Sequence, residues 1–480
     1  MRRFFCFIFL IGCFCAAAHS GKARFHVLID TDGAADDFRA ICMLLGNREV
    51  EVLSVTTSEG ALTPDVAALK VTALLRHFHH EGIPVGAGRM LNISPPAWRR
   101  QSEKMLWGDT ARITAPEQTA VEVIISAMEN EEEKIILICL GALTNLSDVL
   151  VARPQLKERI DRVIWYNSSD HPLKGANYDA DRASADKTLA AGVHIDMVSG
   201  NDLITINEDY LRSIAAAGGA YAQHIVDTHS GDALQSVVAS GHMKAWDDLT
   251  VAYLFAPELF HSVRTRENIT VHSPADAHAI EQIRQTLVET LAGKPDSESR
   301  VFAMFPEDPG LYAADVAPVA KNLIERYGHS EWRAGVLANE LHGHLGIYAV
   351  IGVKMGIRAR EYFNIGVDDI AVVSYAGARP PVSCLNDGLQ VSTGATIGHG
   401  LIRVSNEQDI RPEAVFTFKN KTIRMKLKPE YVQQIRQDVT EGIRLHGDLT
   451  EAYWEYIRLL AIKYWQELDR HEIFDRTVDR

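Results

Sequence analysis

The sequence predicts an α/β protein: an open, mostly parallel sheet with helices on both faces, followed by a smaller second domain. Three observations predict it. Short apolar runs alternate with stretches of helical spacing through the first part of the chain, the pattern of βαβ units. The strand-like runs are apolar enough to be buried on both faces. Near residue 331 the alternation gives way to a His- and Gly-rich pattern, which sets a domain boundary at 325–335. A chain of 480 residues also has room for more than one domain, at roughly 150 residues each.

Residues 25–30 form a strand ending at a Thr-Asp-Gly turn, 35–45 a helix, and 50–57 a β-branched strand. Pro64 opens a helix reaching to about residue 80, and 83–86 is a short strand. A helix at 117–130, a strongly apolar strand at 134–140, a helix at 144–151 and a strand at 162–166 follow. Ligand sites in such sheets lie at the carboxyl ends of the strands. Residues 293–311 are rich in helix breakers, 314–327 is a helix, and 429–470 are mainly helical and aromatic-rich. The expected domains are therefore 25–328 and 332–470. His77, His79 and His80 lie on a predicted helix, where exposure is expected.

Residues 1–20 stand apart. Arg2 and Arg3 precede an apolar run at 4–14, and Ala16, Ala17 and Ala18 supply a cleavage site, which together make a secretory signal peptide. Export, to a bacterial periplasm, is the expectation. Leu10-Ile11-Gly12-Cys13 also resembles a lipobox, and a lipid on Cys13 would instead tether the chain to a membrane. Three cysteines remain beyond this leader, Cys42, Cys139 and Cys384, an odd number and widely spaced, so no disulfide framework is expected. The net charge of -14, from 49 basic and 63 acidic residues, argues against a nucleic-acid partner. A small-molecule substrate fits better, and a homo-oligomer is left open.

Asp30-Thr31-Asp32-Gly33-Ala34-Ala35-Asp36-Asp37 places four carboxylates where a strand turns into a helix. Unpaired, they would repel and raise one another's pKa values. A bound cation resolves this, and oxygen ligands favour Ca²⁺ or Mg²⁺ over zinc. The alternative is a turn and cap cluster, although a cap needs one carboxylate and not four. Asp247-Asp248 precedes an apolar helix at 250–255, and Gly141-Ala142-Leu143-Thr144-Asn145 follows a buried strand. Each alone is ordinary.

Together these segments resemble the inosine-uridine preferring nucleoside hydrolase family over residues 25–325. The resemblance implies an open α/β sheet and a Ca²⁺ held by Asp32, Asp37, Asp247 and the carbonyl of Leu140. Asp36 would bind the sugar hydroxyls, and Asp32 would take the proton of the attacking water. Trp246 stands where the family often has a histidine, and Trp107 falls in another base-pocket region; the pair resembles the purine-specific branch, where indoles sandwich the base. The sugar-binding asparagine after the second strand is missing, with Glu59 or Ala61 in its place. Asn177 survives from a Glu-x-Asn pair, and Asn167 is a substitute for an upstream asparagine. An exported, Ca²⁺-dependent hydrolase of a purine nucleoside or related N-glycoside is the first expectation. A binding protein that keeps the metal site without turnover is the alternative. A phosphatase of the haloacid dehalogenase type, with Asp30 as nucleophile, is a third reading from Asp30-x-Asp32.

His342-Gly343-His344 and Cys384-Leu385-Asn386-Asp387-Gly388 resemble the FmdE family over 335–465, which implies an α+β domain. His342, His344 and Cys384 are its candidate ligands for Zn²⁺ or another transition metal, against buried, hydrogen-bonded histidines. Two family positions depart: Leu345 and Gly346 follow the second histidine, and Ala395 replaces a cysteine.

Overall fold

The computed structural model describes residues 23–111, 113–200, 203–292, 301–367 and 370–479. The expected leader, with Cys13 in it, lies outside the described residues. No helix among the described residues is long and apolar enough to cross a membrane.

Eight strands build the first sheet: β1 Phe25–Thr31, β2 Val50–Thr57, β3 Val85–Ala87, β4 Ile135–Cys139, β5 Ile160–Tyr166, β6 Ile195–Val198, β7 Phe260–Arg266 and β8 Ile269–Pro274. Their order is β3-β2-β1-β4-β5-β6-β8-β7. Every pairing is parallel except β7 with β8. The order reverses between β1 and β4, so a crevice opens there beyond the strand ends. Asp30 pairs with Thr56 on one side and Cys139 on the other, which centres the acidic segment on that point.

The helix Ala35–Gly46 is buried from Ala35 to Leu45, because it runs between the sheet and the helices Asp248–Phe255 and Ala277–Ala292. Its Phe38, Ile41 and Leu45 join a core that includes Val27, Ile29 and Val55. Cys42 and Cys139 are buried, as expected of apolar positions.

The second sheet contains β9 Ala371–Ser374, β10 Ile402–Val404, β11 Glu413–Phe418, β12 Lys421–Leu427 and β13 Phe474–Asp479, in the order β10-β9-β11-β12-β13. Only β9 and β10 are parallel. The helix Ile347–Phe363 is buried at its centre, which makes this half α+β. The division differs from the expected 325–335. Helix Ala317–Tyr327 contributes Ala320, Leu323 and Tyr327 to the second core, as does Phe305, so the cores part between Leu291 and Phe305. Phe474 extends that core past residue 470.

The halves meet at the N-terminal edge of the first sheet. Arg358 grips both oxygens of Glu81 at 2.9 Å and the His79 carbonyl at 3.0 Å, and Arg476 adds a bond to Glu81 at 3.0 Å. Lys419 donates to Glu51 and Glu131. His80, expected on an exposed helix face, is buried here with Nδ1 at 2.7 Å from the Glu361 carbonyl. Arg358→Ala is expected to cost about 2–3 kcal/mol, less than a fully buried pair because Glu81 keeps Arg476 and some solvent. A lower urea midpoint checks this; an unchanged midpoint would mean the pair carries no docking energy.

Candidate functional site

Beyond the ends of β1, β4 and β5 lies a cleft of about 460 Å³, a size suited to a small molecule. Asp32, Asp36, Asp37, Asp247, Leu140 and Asn177 line its polar end. Trp98, Met105, Leu234, Val237, Met243 and Trp246 line its apolar end.

The turn after β1 shapes the polar end. Asp37 Oδ1 accepts bonds from Thr31 Oγ1 at 2.5 Å and the Asp32 N–H at 3.0 Å, and Oδ2 from the Ala34 N–H at 3.2 Å. This works because Gly33 takes φ +86°, where a Cβ would stand 2.8 Å from Leu62. Gly60 packs against the Asp32 carboxylate so tightly that a Cβ there would fall 2.0 Å from Oδ2. Asp247 enters from the start of helix Asp248–Phe255, and its N–H reaches Asp36 Oδ2 at 3.4 Å.

Asp36, Asp37 and Asp247 each bring an oxygen within 4.8 Å of the others. Burial, then the neighbouring carboxylates, hold Asp32 and Asp247 well above the usual carboxylate range. Burial and Asp37 push Asp36 up to about 7. Asp247 Oδ1 is buried with no hydrogen-bond partner. Buried charges of one sign persist only when something of opposite charge joins them. An all-oxygen set of hard donors fits a divalent ion such as Ca²⁺. Asp32 lines the same cleft but stands outside the closest trio.

Other sequence expectations fare differently. Asn177 lines the cleft, with its amide nitrogen bonded to the Leu140 carbonyl at 2.8 Å and that of Tyr166 at 3.0 Å. Trp246 lines the apolar end. Trp107 does not reach it: the indole is 1% exposed and stacks on Phe38 at 5.0 Å. Asn167 is fully buried and does not line the cleft; its amide nitrogen donates to the Lys174 carbonyl at 2.5 Å, and its amide oxygen is buried without a partner. Glu59 is spent on the Leu91 and Asn92 N–H groups, at 2.5 and 2.8 Å. Asp30 accepts from Thr56 and Asn145, each at 2.8 Å, and does not line the cleft, which removes it as a phosphatase nucleophile. Sequence reasoning missed Trp98, Gln101 and His242, which line the cleft. The aromatic after Pro95-Pro96-Ala97, in a proline-broken loop, was the available signal for Trp98.

In the second half, His342, His344 and Cys384 do not converge as a three-ligand group among the described residues. His342 Nδ1 bonds Asp387 at 2.7 Å, and the His344 ring leans on Trp454 at 5.2 Å. His342 Nε2 is buried without a partner and the His344 ring lies 4.3 Å from the His342 ring, yet no set of three ligands forms there among the described residues. Burial raises the Cys384 thiol to about 11, away from the thiolate that metals bind. The second trio that does converge, His26, Glu51 and Glu131, already holds the Lys419 ammonium.

The family to which the sequence of this α/β half belongs makes the chain a hydrolase of the nucleoside N-glycosyl class. Residues 27–301, more than half of the 480, match the sequence model described as "Inosine-uridine preferring nucleoside hydrolase", and the chain belongs to that family. Residues 341–475 match the one described as "FmdE, Molybdenum formylmethanofuran dehydrogenase operon", so the chain joins the two. Among curated relatives, the pyrimidine-specific ribonucleoside hydrolase RihA of Klebsiella pneumoniae is 22% identical over 261 residues, 49% of this chain and 81% of that protein. RihA of Shewanella woodyi is 26% identical over 260 residues, 49% and 80%. Similar solved structures include a plant nucleoside hydrolase, PpNRh1, at 18% identity and TM-score 0.47, covering 56% of this chain and 99% of that one. A purine-preferring ribonucleoside hydrolase from Gardnerella vaginalis is 17% identical with TM-score 0.46, covering 56% and 99%.

Proposed function

We propose that this chain is an exported, Ca²⁺-dependent hydrolase that releases the base from a purine nucleoside or related N-glycoside. The observation that carries the metal reading is the buried trio of Asp36, Asp37 and Asp247 within 4.8 Å, one of its oxygens unpartnered. Asp37 and Asp247 of this trio would hold the ion, joined by Asp32 and the Leu140 carbonyl from the same cleft, while Asp36, the third member, would turn to the substrate. When bound, Ca²⁺ would supply positive charge that acidifies a water and offsets the carboxylates.

The chain's own groups do the rest. Asp32 takes the proton of the attacking water, whose oxygen bonds the anomeric carbon as the base leaves with the electron pair. The sugar becomes oxocarbenium-like at that moment, and the carboxylates of this end stabilise its charge. Asp36 and the Asn177 amide oxygen orient the hydroxyls; the Asn177 nitrogen is already bonded to two carbonyls. Glu59 is engaged elsewhere and neither it nor Asn167 lines the cleft, which leaves a sugar shell with fewer amide ligands and supports a substrate other than a plain ribonucleoside.

Trp98, half exposed, and Trp246 give the apolar end its aromatic surface and support the purine reading. Trp98→Ala is expected to raise KM for a purine nucleoside about 10–100-fold, since a lost stacking partner costs ~1–3 kcal/mol. Trp107→Phe should leave KM unchanged. The reverse ranking in steady-state kinetics would reassign the base pocket. The function as a whole is tested by screening nucleosides and related glycosides for base release, with and without chelator. Absence of release from every one would refute it.

A further inference from the structure

We infer that Arg39 is a positioning residue for the cation site: a buried clasp between the two carboxylate-bearing helices that sets the affinity for a divalent ion. The inference rests on the metal reading above and deepens it.

Arg39 is fully buried. Its Nε donates to Asp248 Oδ1 at 2.9 Å and its Nη2 to Asp248 Oδ2 at 2.7 Å. Nη2 also donates to the Lys244 carbonyl at 2.7 Å, in the segment that leads into Asp247. Nη1 lies 3.0 Å from His229 Nε2. His229 Nδ1 lies 2.7 Å from the Ile225 carbonyl, which can only accept, so Nδ1 carries the proton and Nε2 accepts from Arg39. The guanidinium is thereby engaged on every nitrogen.

Both ends of this clasp are tied by the chain to the ligand set. Arg39 follows Asp36 and Asp37 on helix Ala35–Gly46, less than one turn on. Asp248 adjoins Asp247. A bidentate fork fixes distance and rotation together, which a lysine cannot do. The need is evident from the charges: once ionised and with no cation bound, Asp36 and Asp37 on one helix repel Asp247 at the start of the other. Replacing a buried ion pair by apolar side chains is often neutral for stability. A registry role explains its presence here better than a stabilising one. Partners one step behind the ligands commonly govern affinity by 10–100-fold.

The test uses the full chain and compares the wild type with Arg39→Met, Arg39→Lys and the double variant Arg39→Met/Asp248→Leu. Ca²⁺ binding is read by titration calorimetry, and thermal unfolding is followed without metal. Arg39→Met and Arg39→Lys should each weaken Ca²⁺ binding about 10–100-fold. The double variant should recover the metal-free melting temperature yet still bind Ca²⁺ at least about tenfold more weakly than the wild type. Wild-type affinity in the folded double variant or in Arg39→Lys would overturn the clasp while leaving the metal reading intact. A wild-type protein that binds no Ca²⁺ would instead overturn the metal reading, and the clasp with it.

Discussion

Asp32→Asn should lower kcat for base release by about 10²–10⁴-fold, the range for losing a positioned proton acceptor. The substitution is nearly isosteric, which matters because Gly60 leaves no room beside the carboxylate. The backbone N–H groups of Ala34 and Ala61 favour the charged form of Asp32 against its burial, and the amide oxygen of asparagine can face the same donors. The fold therefore survives, and the loss falls on catalysis. Steady-state measurement of base release by ultraviolet absorbance decides it. A variant with full kcat would remove Asp32 from the reaction.

Stripping the divalent ion should abolish base release and change how stability depends on pH. Asp36, Asp32 and Asp247 hold their protons to higher pH folded than unfolded: the ordinary value is 3.8, and Asp36 is raised to about 7. Between those values the folded chain binds more protons than the unfolded one, so metal-free stability is fullest below pH 4 for these groups and falls as pH rises toward 7. Metal ligands must be deprotonated, so Ca²⁺ binds more tightly over the same span. At about 100 times its Kd the ion would add about 2.7 kcal/mol. The rise in melting temperature on adding Ca²⁺ should thus be larger at pH 8 than at pH 5. Asp247→Ala should show no such rise at either pH. An equal rise at both pH values in the wild type would mean that the cluster is not what the ion meets.

What the sequence disclosed follows from locality. The acidic run from Asp30 to Asp37 was legible because its members are neighbours on one strand-to-helix turn, and the strands that flank it are strongly apolar. Asp247 was reachable only through resemblance, since more than 200 residues separate it from Asp37. Trp107 was misplaced because a motif position does not say which way an indole turns; Phe38 draws it into the core. Trp98, which does line the cleft, had only a proline-rich loop to mark it. The Arg39–Asp248 pair was invisible for the reason Asp247 was faint: each half is unremarkable until the helices touch. The boundary at 325–335 marked a change in composition, whereas the cores divide by which side Phe305 and helix Ala317–Tyr327 face. His80 looked exposed because helical spacing cannot foresee a second half docking over it.

That docking has a consequence for traffic. The FmdE half is seated at the amino-terminal edge of the first sheet, and the cleft opens at the carboxyl edge. Seven residues of β1, about 20 Å of extended chain, intervene. A base or sugar discharged from the cleft therefore departs into bulk water, on the far side of the barrier from its neighbour. Fusion gives the two halves a fixed one-to-one ratio while their faces point to opposite ends of the first sheet.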